Sequence, residues 1–309
     1  MSRITALAGG VGAARFLDGL VRIIDPENIT VIVNVGDDVE MYGLYISPDI
    51  DTVIYTLAGI ADDVKGWGIR GDTFNCLDML SRYGVETWFK IGDKDMAIHI
   101  FRTMLLKKGL KLQEVTDIIR RKLNVKVRVI PMTNDRVETM VLTEGGLISF
   151  QEYFVKRGFQ DEVKGIIYKG IEKAKPADGV IESIMNADGV IICPSNPIVS
   201  IGTIISVDGV REALRETKAK TIGISPIIGG VAVKGPADKM LKEIGLEPSA
   251  YTIAELYRDF LDIFVIDKAD INLKDKIEEI GVRVYVTNTL MKSVEDRVRI
   301  AREVLNLIY

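Results

Sequence analysis

Three groups of residues in this chain have types and spacings suited to chemistry on a phosphate compound. The first is the glycine loop Gly9, Gly10, Val11 and Gly12, set between the apolar run "RITALA" and a stretch where Phe16, Leu17, Leu20, Ile23 and Ile24 recur at helical spacing. Glycines between a strand and a helix let backbone N–H groups and the positive end of the helix dipole face an anion. No Gly-Lys-Ser/Thr follows, so the loop is not a P-loop, and Arg15 stands where a dinucleotide fingerprint has its third small residue. Arg15 reads either as a solvated helix residue or as a cation reaching back to a phosphate.

The second group is acidic. Asp37 and Asp38 end "NVGDD", and Asp49 and Asp51 follow in "SPDID". Carboxylates at the carboxyl edge of a sheet suit three uses: a ribose acid, oxygen ligands for Mg²⁺ beside substrate phosphates, or an acceptor for the proton of an attacking hydroxyl. A helix start at Ser47, Pro48, Asp49 and Asp51 is the plainer reading for part of the group. The third group is "CPSNPIVSIGTI", where two prolines frame Ser195 and Asn196 at a strand exit; it reads as a ligand contact or as a rigid turn. "SPIIGGVAVKGPADK" offers Ser225, Gly229, Gly230 and Lys234 as a further wall. "FKIGDKDMAIHIFR" holds Lys90, Asp93, Asp95 and the chain's single histidine, His99, which reads as structural or as a substrate contact. Nothing resembles a nucleophile elbow or a Ser-His-Asp signature.

The elements that must position these groups alternate. "ITVIVNVG", "ADGVIICPSN", "KTIGISPIIGG", "DIFVIDKAD" and "VRVYVTNT" are near-continuous apolar strands separated by helical stretches, as in a parallel sheet covered on both faces. This predicts a doubly wound, Rossmann-like α/β fold with a mostly parallel sheet. Residues 94–123 read as helical with a break at Gly109, and Glu144-Gly145-Gly146 reads as a hairpin turn. We expect one α/β domain over residues 1–309, with an inserted α/β portion at about 94–175 and a helical cap at about 236–260.

Composition narrows the class. The net charge of −4 gives no nucleic-acid footprint, and the two cysteines, Cys76 and Cys193, lack the spacing of a zinc site or disulfide framework. No apolar run is long enough for a membrane span, and the first residues lack the apolar region of a signal peptide. A cytoplasmic protein acting on small molecules is expected, without nucleic-acid or membrane partners; enzymes of this class and size are commonly homodimers.

Taken in order, "AGGVGAARFLDGL", "NVGDD", "SPDIDTVIYTLAG", "GWG", "WFKIGDKD", "PMTND", "CPSNPIVSIG" and "SPIIGGVAVKGPADKM" resemble the 2-phospho-L-lactate transferase family over almost the whole chain. The resemblance implies an archaeal, methanogen-type enzyme of coenzyme F-420 biosynthesis. Such an enzyme moves a 2-phospholactyl group from lactyl-2-diphospho-5′-guanosine to the terminal ribityl hydroxyl of 7,8-didemethyl-8-hydroxy-5-deazariboflavin (Fo), with Mg²⁺, releasing GMP. It implies that Asp51 and Lys90 contact the deazaflavin; many relatives have Arg in place of Lys90, so the fork geometry is lost here. Combined with the residue reading, Gly9, Gly10, Gly12, Arg15, Ser195 and Asn196 are expected on the guanosine diphosphate, and Asp37 and Asp49 on Mg²⁺. Asp51 is expected to orient or deprotonate the hydroxyl, and Asp51→Asn to cut turnover heavily while sparing the fold. The rival within the same superfamily is a nucleotide-sugar-binding regulator; Arg15 argues against a nicotinamide oxidoreductase.

Overall fold

Apolar residues fill nearly every position of Ile4–Ala8 (β1), Ile29–Val33 (β2) and, further on, Gly189–Ile192 and Ile263–Asp267, because both faces of these strands are covered. The computed structural model describes residues 3–309. Arg128–Pro131 (β3), Gly189–Ile192 (β4), Lys220–Ile224 (β5), Ile263–Asp267 (β6) and Arg283–Thr287 (β7) complete a parallel sheet ordered β7-β6-β5-β4-β1-β2-β3. Chain order runs one way from β1 through β2 to β3 and the other way from β4 to β7. The reversal between β1 and β4 is the switch point of a doubly wound sheet, where the loops leaving the two strands diverge and open a crevice.

Helices Gly10–Leu20 (α1), Pro48–Leu57 (α2), Asp93–Lys107 (α3), Ala250–Tyr257 (α4) and Val294–Asn306 (α5) dress the sheet. Where α1 crosses α5, a Cβ on Gly19 would overlap the Arg297 carbonyl, so glycine sets how closely the two helices approach. α3 ends at the expected break, with Gly109 at φ 89°.

Two boundaries differ from the sequence reading. Residues 94–175 are not one insertion: β3 lies inside them and pairs in parallel with β2, Val31 opposite Val129. Around it, an antiparallel sheet of Glu138–Thr143, Gly146–Ser149 and Gly165–Lys169 forms outside the main sheet, with the expected hairpin placing Thr143 opposite Gly146. Nor are residues 236–260 wholly a cap. Ala250, Ile253 and Ala254 of α4 are fully buried in the main core, so α4 is the crossover helix between β5 and β6.

Candidate active site

The loops leaving β1 and β4 meet at the switch point and are stitched by one hydroxyl. Ser195 Oγ accepts from Gly9 N–H at 3.1 Å and donates to the Gly9 carbonyl at 2.8 Å. Asn196 holds its own bend, its Oδ1 accepting from the N–H groups of Ile198 (2.9 Å) and Val199 (3.2 Å). The glycines have separate reasons. A Cβ on Gly12 would overlap the Pro194 carbonyl oxygen, and one on Gly9 would overlap Ser200, whereas Gly10 sits at φ 48°. At Gly12 the seam is packed backbone to backbone and at Gly9 backbone to side chain, so a side chain at either would push the loops apart.

The acids join this seam from the other side. Gly10 N–H donates to Asp49 Oδ1 at 2.7 Å, and Asn34 Nδ2 donates to Asp49 Oδ2 at 3.0 Å. Burial pushes Asp49 up to about 6 against the pull of those two donors. Asp37 is buried, and its Oδ1 has no hydrogen-bond partner. Burial first, then the Asp49 carboxylate beside it, raise Asp37 well above the usual range. Asp38 accepts from Ser47 Oγ at 2.7 Å and from the Tyr45 hydroxyl at 2.8 Å, yet burial still pushes it up to about 8. Ser47 therefore spends its hydroxyl on Asp38 and does not cap α2, and Asp49 serves α1, not its own helix. The helix start read at Ser47 and Pro48 is found, with Asp49 and Asp51 in its first turn, but no side-chain hydrogen bond caps it.

Asp51 is placed differently. Both of its oxygens accept from the buried Arg102 guanidinium, NH1 to Oδ2 at 2.9 Å and NH2 to Oδ1. Arg102 NH1 also lies 3.1 Å from His99 Nδ1, and His99 Nε2 lies 3.2 Å from Asp95 Oδ1, which accepts from the Tyr55 hydroxyl at 2.6 Å. Donation from Nε2 to the Asp95 carboxylate leaves Nδ1 to accept from Arg102, which fixes the neutral tautomer. Burial works to raise Asp95, but His99 and Tyr55 together hold it below the usual carboxylate range. His99 thus has a structural place in a buried chain running from Tyr55 to Asp51.

The structure brings Gly9, Gly10, Ser195 and Asp49 into direct hydrogen-bonded contact, with Gly12 against Pro194 and Asp37 beside Asp49. Asn196 shapes the bend next to them. Arg15 lines a cleft shared with Val11, Thr56 and Trp67. Lys90 lies exposed just before α3, in contact with none of these residues' polar groups. Sequence reasoning missed Asn34, Tyr55 and Arg102. Arg102 follows His99 by three positions on one helix, a spacing that puts both on one face and could have flagged it.

A crevice at a switch point, a glycine seam and a buried carboxylate group define an α/β protein of the doubly wound, phosphate-handling class. The family model described as 2-phospho-L-lactate transferase CofD matches residues 4–302. A 2-phospho-L-lactate transferase of Methanocaldococcus jannaschii is 43% identical over 306 residues, covering 98% of this chain and 97% of the relative. A phosphoenolpyruvate transferase of Streptomyces griseus is also 43% identical, over 311 residues, covering 99% and 98%. Among solved structures, a UPF0052 family protein from Bacillus halodurans shares the fold, with TM-score 0.65 at 16% identity and 99% of each chain covered. The chain belongs to the 2-phospho-L-lactate transferase family. It is an enzyme, a transferase of substituted phosphate groups, and its relatives are both archaeal and bacterial. No helix among the described residues is long and apolar enough to cross a membrane.

Proposed function

We propose that this enzyme transfers the 2-phospholactyl group of lactyl-2-diphospho-5′-guanosine to Fo, releasing GMP and forming the glutamate-free deazaflavin coenzyme. The observation that carries the reading is the contact of the glycine seam with the acids, Gly10 N–H on Asp49 at 2.7 Å. It sets a phosphate-facing helix start and carboxylates side by side, as displacement at a diphosphate requires.

Transfer of this kind needs positioning and neutralised charge more than covalent chemistry. Gly10 N–H is already engaged by Asp49, so the remaining first-turn N–H groups of α1, at Val11 and Gly12, are the ones to hold the guanosine diphosphate, with Gly9, Ser195 and Asn196 shaping the opposite wall. Asp37 and Asp49 fit a hard cation. Asp37 Oδ1 is buried without a partner, and the two carboxylates repel each other until a positive charge lies between them. No group of three or more His, Cys, Asp or Glu side chains suited to a metal occurs among the described residues. Two carboxylates plus substrate phosphates are the usual hold on Mg²⁺, which would neutralise charge on the diphosphate. We assign Asp51, paired with Arg102, to orienting the ribityl hydroxyl of Fo, and Lys90, exposed just before α3, to the deazaflavin.

A second reading concerns the three-carbon acid. Relatives at the same 43% identity bear the names 2-phospho-L-lactate and phosphoenolpyruvate transferase, so the enolpyruvyl donor is the alternative substrate. The test is purified enzyme with Mg²⁺ and Fo, offered the lactyl or the enolpyruvyl donor in parallel, with GMP and coenzyme read by mass spectrometry. Product from one donor assigns the acid; GMP from neither removes the proposal.

A further inference from the structure

Beyond the seam and the acids, Arg15 and Lys234 lie near each other, and neither forms an ion pair among the described residues. Arg15 lies one turn beyond Gly12 on α1 and lines a cleft with Val11, Thr56, Asp62, Asp63 and Trp67. Its Nε is buried without a hydrogen-bond partner. Lys234, on the loop after β5, reaches the rim of the same cleft, where its ammonium donates to the Gly66 carbonyl at 3.3 Å. Partial burial, then the nearby Arg15 charge, hold Lys234 below the usual lysine range.

The two carboxylates lining the cleft are already occupied. Asp62 accepts from the N–H groups of Val64 (3.1 Å) and Lys65 (3.0 Å) and pairs with the Lys65 ammonium at 3.6 Å. Asp63 pairs with Arg297 at 3.3 Å. Two cations brought together while neighbouring acids serve other partners are an arrangement that favours a bound anion. Because residues three apart on a helix are neighbours, the Arg15 side chain opens beside the first-turn N–H groups at Gly12.

We propose that Arg15 and Lys234 form the subsite for the carboxylate of the three-carbon acid, while its phosphate lies at the glycine seam. The proposal rests on the transfer reading above and names what selects the donor's acid. In a 2-phosphorylated three-carbon acid the carboxylate is attached to the carbon that bears the phosphate ester, so the two anionic groups are only a few atoms apart. A guanidinium fork and a point-charge ammonium then meet one planar carboxylate. The lactyl and enolpyruvyl acids share that group, so this subsite demands an acid without distinguishing the two.

The experiment compares 2-phospho-L-lactate with isopropyl phosphate, which replaces the carboxylate by a methyl group, and with GDP. Binding is measured calorimetrically on the full chain with Mg²⁺ for the wild type, Lys234→Met and Arg15→Met. The wild type should prefer phospholactate to isopropyl phosphate by about tenfold or more, the size of a charge-assisted contact. Either variant should erase that preference while holding isopropyl phosphate within about threefold of the wild type, and Lys234→Met should hold GDP equally well, which also shows that the fold is kept. An equal loss for all three ligands would mean that the cations read phosphate, and an unchanged preference would mean that they read nothing; each overturns the proposal. Because the readout is binding, a wild type that prefers phospholactate but makes no coenzyme from Fo would sink the transfer reading alone.

Discussion

Across the seam between residues 9–12 and 194–200, small and polar groups are satisfied within the protein: Ser195 closes on Gly9, and Asn196 closes its own bend. A few ångströms away, on the other side of Asp49, the molecule is built the opposite way. Asp37, Asp38, Asp49 and Asp51 are buried together, Arg102 pairs with just one of them, and Asp37 keeps an oxygen with no partner. The seam is a finished structure whose tolerance is steric. The acid group is an unfinished one whose tolerance is electrostatic, and it carries repulsion that a cation would relieve. A fixed wall beside a site short of positive charge suits the displacement at a diphosphate proposed above.

Substitutions separate the two regions by size and sign. The largest effect belongs to the charged side. Arg102→Met leaves Asp51 buried and unpaired beside Asp38, and is expected to lower stability by about 3–5 kcal/mol, read as the midpoint of urea unfolding. The same pair revises the sequence expectation for Asp51→Asn, which strands a buried guanidinium and so lowers stability as well as turnover. On the seam, Gly12→Ala drives a methyl group into the Pro194 carbonyl and is expected to destabilise by about 1–3 kcal/mol at any pH. A Gly12→Ala loss that depended strongly on pH would break the contrast, because steric overlap has no proton to exchange.

The seam was legible in the sequence and the charged side only half so. Strands covered on both faces write themselves as continuous apolar runs, and their exits must lie at one edge, so residues 9–12, 37–38 and 195–196 could be placed together from order alone. What makes Asp51 different from Asp49 is a partner 51 residues away on α3. No local pattern specifies that contact; it depends on how α3 is laid against α2. The strand β3 was hidden for a similar reason. It sits between helical and hairpin segments that do not belong to the sheet, so its neighbours in sequence pointed away from its neighbours in space. Asn34 was passed over as the end of a strand, although its amide supports Asp49.

The sharper tests invert the sign. Asp37→Asn removes a buried carboxylate that has an oxygen without a partner, so at pH 8 without Mg²⁺ it should raise stability by about 1–2 kcal/mol while removing Mg²⁺-dependent turnover. Loss of stability in that variant would mean that the neighbouring Thr139 and Asn34 hold the carboxylate more strongly than burial and Asp49 oppose it.

The smallest effect follows from the same acids in the intact enzyme. Asp49 lies near 6 and Asp38 near 8 in the folded protein, both above the unfolded carboxylate value of 3.8. The folded state therefore binds more protons than the unfolded state between those values, and stability must fall as pH rises through about 6 and then 8. A cation at the proposed Asp37 and Asp49 site would compete with those protons, so it would bind better as pH rises and offset the repulsion where that is greatest. The increase in melting temperature given by Mg²⁺ with GDP should accordingly be about 2–4 °C larger at pH 8 than at pH 5.5, a difference of about 1 kcal/mol for a chain of this size. The same scan on Asp49→Asn should flatten the pH dependence of the Mg²⁺ increment, while Gly12→Ala should lower the whole curve and keep its slope. Parallel slopes in both variants would show that the raised acids and the cation are not linked, and the contrast between the two regions would then be one of packing alone.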